Sequence, residues 1–417
     1  MAQIRTEPLR AEIRWLLQAA LAVFVVTVAI GILNGLDLVD FDRNRLLTHV
    51  HAGTLGWITL GFFAASLWLF SDGESLQGWQ AYAPRWLSIL AIGSIVIYTG
   101  AFYIGNLSAR IVGGALTLAA ILGLFVWVVV RAQRVRLTVA HLGILAAATT
   151  LTVGALVGVL MGLAMSGSLT GLPTGIFVTH PTSLVIGYLI LAGMAIAEWR
   201  LIPDRRPLGA DRWGVAQVVL PFLGGVVISV GAMLDNFMLI SLNVPLELAG
   251  VIIFLIRLGP RLLATHWLRD GHGRLYAISA VFLAANVGLL TYLIVSVVTG
   301  AYGDPPDFAR IPSWLIFAMD HAMFIGVMTN ALFGLAFEAT SERRSLWPWA
   351  DQLIFWGTNL GMVGFVVGLM RNSATLKQIF TPIMGAAILL AIAAYTLRLQ
   401  AREPAEPRPV AAGGQGS

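Results

Sequence analysis

Seven histidines and no cysteine set the chemistry open to this 417-residue chain. Disulfides, thiolate metal sites, iron–sulfur clusters and covalently attached c-type heme all need cysteine sulfur. Any iron or copper must therefore sit on imidazole. Four histidines, His49, His51, His180 and His321, lie inside long apolar stretches, where polar side chains are costly and mark function. His141, His266 and His272 fall at polar ends and carry no such signal. The four sit in related surroundings: THVHAGTLGW (48–57), THPTSLVIGY (179–188) and DHAMFIGV (320–327). With Gly56, Gly187 and Gly326 taken as equivalent, His49 and His180 precede their glycine by seven residues, and His51 and His321 by five. The glycines are 131 and 139 residues apart, close to a third of the chain. Helical residues two apart point about 200° from each other, so His49 and His51 serve opposite flanks of one helix.

The elements that carry these residues follow from composition. With 58% apolar and 11% charged residues, and a mean hydropathy of +0.83, the chain reads as an all-α polytopic membrane protein. A bilayer core needs about 20 apolar residues per helix. Twelve stretches qualify: 14–35, 46–70, 84–104, 110–131, 138–164, 175–198, 214–238, 243–260, 274–299, 312–338, 350–370 and 377–397. The first reads as a retained helix, with no small-residue cleavage site at its end. With both termini cytoplasmic, 20 of the 26 basic residues fall on the inside, as the positive-inside rule requires. This places the chain in a bacterial-type inner membrane. The net charge of +5 reports that orientation and not a nucleic-acid partner; the partner expected is the lipid bilayer. The histidines fall on spans 2, 6 and 10, every fourth helix, within the first turns from the outer face. The chain thus reads as a 1–399 membrane domain of three four-helix repeats, about 1–136, 137–270 and 271–399. A Pro-, Ala- and Gly-rich tail at 400–417 reads as disordered and cytoplasmic. Repeats of this kind place sites at their interfaces.

A flat cofactor such as heme needs axial imidazoles and small residues where it nears the backbone. Span 2 offers Gly53, Gly56 and Gly61, although close helix packing explains any single glycine equally well. The run HVHAGTLGW closely resembles the helix-10 motif of the C-type heme-copper oxidases. The whole topology resembles subunit I of that superfamily, whose twelve helices form three pseudo-symmetric four-helix arcs. The paired histidines on an early helix also resemble NnrS-like proteins, relatives implicated in nitric oxide tolerance. The resemblance implies one or two b-type hemes. His51 would be a low-spin axial ligand, and His49 would face a second heme or metal pocket. His180 and His321 are the available partners. Rotating the motif by the threefold symmetry pairs His51 with His180; a direct analogy of helix 2 to helix 10 pairs it with His321. Span 7 has no histidine and position 184 is Leu184 where the oxidases have tyrosine. Copper stays possible, but a three-histidine copper site cannot be assembled, and proton-pumping oxygen reduction is not expected.

Arg43, Arg45 and Arg110, with Arg310 and Arg371, share the histidine face and suit heme propionates; anchoring in lipid headgroups explains them equally well. Asp320, Asp235 and Glu247, the last two at the outer ends of spans 7 and 8, could orient an imidazole or accept protons. Met319 and Met323 share a face that His321 does not, and read as core. The expected function is handling of nitric oxide or another diatomic gas, or membrane electron transfer from an external donor. Two alternatives stand: a heme-free transporter with a histidine-lined pathway, and a non-catalytic heme sensor or assembly protein.

Overall fold

In hydrocarbon every backbone N–H and C=O must be satisfied within its own segment, so an apolar chain of this length is expected to fold as helices. A computed structural model describes residues 8–71, 75–202, 206–269, 271–303, 310–341 and 347–401. The proposed tail, apart from its first two residues, lies outside the described residues. The described residues form twelve helices long and apolar enough to cross a membrane, with no strand among them. They are α1 (Arg10–Gly35), α2 (Arg43–Ser71), α3 (Trp79–Tyr103), α4 (Leu107–Ala132), α5 (Val139–Met165), α6 (Ile176–Leu201), α7 (Arg212–Met233), α8 (Phe237–Leu263), α9 (His272–Val298), α10 (Ser313–Ala339), α11 (Ala350–Met370) and α12 (Ala374–Gln400). The chain is a multi-pass membrane protein.

The histidine-bearing helices form the centre. Between 72% and 83% of the apolar window of α2, α6 and α10 is buried, against at most half in every other helix. They touch one another directly. Trp57 on α2 donates from Nε1 to Thr329 Oγ1 on α10 at 3.0 Å. Phe62 on α2 meets the Tyr188 ring on α6 edge-on at 5.1 Å. Gly193 on α6 leaves room for Val327 on α10.

The same local devices recur in all three successive sets of four helices. Each central helix contains a π-helical segment, Ala52–Thr59, Ser183–Leu189 and Ala322–Thr329, beginning four residues before Gly56, Gly187 and Gly326. The wider turn leaves carbonyls that hydroxyls reach five residues back: Thr59 bonds Thr54 O at 2.9 Å and Thr329 bonds Phe324 O at 2.8 Å. The six helices ending at the histidine end close alike. A left-handed residue follows at Asp37, Gly105, Gly167, Asp235, Gly300 or Asn372, and the next N–H reaches back five residues, as from Leu38 to Leu33 O or Asn236 to Gly231 O. This is the Schellman closure, which satisfies carbonyls that a helix end would orphan. In the hairpins α3–α4, α7–α8 and α11–α12 the next residue, Asn106, Asn236 or Ser373, also caps the following helix through its side chain. At the other end an arginine from each fourth helix reaches the helix before it. Arg131 bonds Gln80 at 3.0 Å, Arg257 bonds Gln217, and Arg398 bonds Asp351 at 2.8 Å.

Candidate functional site

All four histidines of the central helices lie near the start of their helix, and each has its Nδ1 against a backbone carbonyl. His49 reaches across to Thr27 O on α1 at 2.8 Å, and His180 to Gly154 O on α5 at 2.9 Å. His51 and His321 instead turn back on their own helix, to Leu47 O at 2.8 Å and Phe317 O at 2.7 Å. A carbonyl only accepts, so the proton of each neutral ring is on Nδ1 and the lone pair is on Nε2. Among the described residues no group bonds any of these four Nε2 atoms. An imidazole anchored through Nδ1 with a bare Nε2 is in the form that ligates a metal, the carbonyl fixing ring and tautomer from behind.

The two histidine types are built differently, and each type is built the same way twice. Seven residues before the glycine, the ring enters the preceding helix where a glycine stands four residues beyond the bonded carbonyl. A methyl at Gly31 would sit 3.0 Å from His49 Cε1, and one at Gly158 2.6 Å from His180 Cε1. Five residues before the glycine, the ring leans on phenylalanine from the following helix. His51 stacks on Phe102 of α3 with centroids 3.9 Å apart and planes 20° apart, with Tyr98 edge-on at 5.8 Å. His321 packs on Phe365 of α11 at 4.8 Å.

His51 interacts electrostatically with His180, and His321 with His49. In both, a histidine five residues before its glycine is matched with one seven before on another central helix. The third interface, between α6 and α10, holds Thr182 and Met319 at the corresponding places. Asn286 on α9 bonds Met319 O at 2.7 Å, as Thr27 on α1 bonds His49 O at 3.2 Å. Four residues on, buried Leu290 stands where Gly31 and Gly158 make room for a ring. Among the described residues no group of three or more His, Cys, Asp or Glu could hold a metal ion.

The other expected site residues are placed as follows. Arg110 on α4 is drawn toward His51: its guanidinium lies 4.4 Å from the Phe102 ring centre and bonds Asn44 Oδ1 at 2.7 Å and Phe102 O at 3.1 Å. Arg45 pairs with Asp42 and lies over the Tyr103 ring at 5.4 Å. Arg43, in the same first turn of α2, is exposed. Asp42 caps α2 by accepting from the Arg45 N–H at 3.0 Å, and that bond holds its carboxyl below the usual aspartate range. Gly53 and Gly56 face α1 and not a slot: a methyl on either would meet Thr27 or Val23. They serve close helix packing. His141 caps its own helix through Thr138, bonding Thr138 Oγ1 at 2.9 Å. Phe102, Phe365, Gly31 and Gly158 escaped sequence reasoning; the recurrence of a glycine in the first helix of two repeats was the available signal.

The chain matches no model of a known protein family and no curated protein.

Proposed function

We propose that this chain is a heme b-binding membrane protein of the heme-copper oxidase superfold, with one heme held between His51 and His180 and a second between His49 and His321. The observation that carries the reading is the common state of the four rings, each with Nδ1 bonded to a carbonyl and Nε2 bare, combined with their pairing. Heme, when bound, supplies the redox-active iron. The chain's own residues would orient the imidazoles, with Phe102 against His51, Phe365 against His321 and the Arg110 cation over Phe102. A heme held by two of these histidines would have no open position for a gas, which favours electron transfer over nitric oxide binding. The distribution of basic residues supports an orientation with both termini in the cytoplasm of a bacterial-type cell, so that the pairs lie near the outer face and exchange electrons with an external donor there.

Optical spectroscopy tests this directly. Protein purified from heme-replete cells is expected to show a Soret band and, on reduction, b-type α bands that carbon monoxide and nitric oxide leave unchanged. A folded but colourless preparation would overturn the heme reading in favour of a histidine-lined transporter. A reduced spectrum that shifts with either gas would return the gas-handling role to first place.

A further inference from the structure

The most deeply buried acid among the described residues lies on α8, outside the three central helices. Glu247 on α8 is 1% exposed, against 5% for Glu198 and 8% for Asp351. Those two are each bonded to an arginine, Arg257 and Arg398 respectively. Among the described residues Glu247 is bonded to no cation, and its partner is Asn243, one turn back and fully buried, whose Nδ2 donates to Oε1 at 3.3 Å. Arg257, on the same helix, is held by Glu198 and Asp211, while Arg212 and Arg274 stand in the first turns of α7 and α9.

Two polar atoms of this pair are buried with nothing to bond, Glu247 Oε2 and Asn243 Oδ1. Both are oxygens, and an ionised carboxylate beside an amide oxygen offers only acceptors. One proton resolves both. A carboxylic acid facing a primary amide makes two bonds in a closed ring, with the acid O–H donating to the amide oxygen and the amide N–H donating to the acid carbonyl. The second of these is already present. Gly224 on α7 closes the site, since a methyl there would lie 3.1 Å from both Asn243 Nδ2 and Glu247 Oε1. Buried polar groups left unbonded are costly, so the pair is built around the proton it lacks when ionised.

We propose that Asn243 and Glu247 form a proton-binding site on α8, against Gly224 of α7, with Glu247 held as the neutral acid and donating from Oε2 to Asn243 Oδ1. The site is independent of heme and can be tested without it. Infrared spectroscopy of the purified full-length protein at neutral pH should show a protonated-carboxyl C=O band that Glu247→Gln removes. Asn243→Leu should move that band to higher frequency, because the acid loses its partner. If either variant fails to fold, Gly224→Ala supplies the reading, since its methyl presses on Oε1 and should displace the band without removing it. A wild-type spectrum with no carboxyl band sensitive to Glu247→Gln, or to Gly224→Ala, would overturn the proposal by showing that Glu247 is ionised. Loss of heme colour in any of these proteins would bear on the histidine pairs and leave the carboxyl band to be read as before.

Discussion

His49, His51, His180 and His321 each hold Nδ1 against a backbone carbonyl. The consequence is sharpest at His180, whose ring fits against α5 only because residue 158 is glycine. Gly158→Ala puts a methyl 2.6 Å from Cε1 and 2.8 Å from Nδ1, within the space of the bond to Gly154 O. The ring must shift, so this variant is expected to lose the heme of the His51–His180 pair and keep the other, halving heme per chain in a hemochrome assay. Undiminished heme content would show that the Nδ1 anchor is dispensable. Asp42 supplies a second test at this scale. Its carboxyl titrates below the ordinary aspartate value of 3.8, chiefly through the Arg45 N–H bond. A lowered folded-state value means that the cap is fully made above the unfolded value and lost as pH falls through the lowered one. Amide exchange at Arg45 should therefore accelerate only in strong acid, and Asp42→Asn, which still caps, should abolish that pH dependence.

At the scale of helices, close approach and buried pairing carry the packing. Gly56 lets α2 meet Val23 of α1 where a methyl would collide with a branched, stiff side chain. Gly56→Ala should lower stability by about 1–3 kcal/mol, and Val23→Ala should restore much of it, a coupling that thermal unfolding of the double variant would reveal. The α11–α12 hairpin holds Arg398 on Asp351, both largely buried. Removing the cation with Arg398→Leu leaves a buried carboxylate alone and should cost about 3–5 kcal/mol; Asp351→Asn in addition should recover part of that in the same unfolding assay. The helices themselves are legible from sequence, because lipid leaves an apolar stretch of twenty residues only one spanning solution. The π-helical segments are not, since AGTLGWIT, SLVIGYL and AMFIGVMT share no composition that distinguishes them from an α-turn. Glu247 reads as a helix-end carboxylate for a related reason. The tight turn at Asp235–Asn236 starts α8 at Phe237 and sinks residue 247 nearly three turns deep.

At the scale of the molecule, three like arms meet at α2, α6 and α10, but only two of the three interfaces have histidines at both corresponding places. The offsets of seven and five residues were visible in the sequence, yet they left His51 with two possible partners. The choice depends on the direction in which the central helices follow one another around the axis, and a linear chain does not state that direction. The contacts of His49 with α1 and of His51 with α3 supply it. Gly53 and Gly56 show the converse: a glycine in a polar-flanked helix looks the same whether it faces a cofactor or a neighbour, and only packing tells them apart. The direct test of the two-pair arrangement is heme stoichiometry in single and double histidine variants. The account predicts two hemes per chain in the native protein and one in His51→Ala, His180→Ala, His49→Ala or His321→Ala. It further predicts one in the double variant of positions 51 and 180, but none in that of 51 and 321. Loss of both hemes from the first double variant, or retention of one by the second, would contradict it.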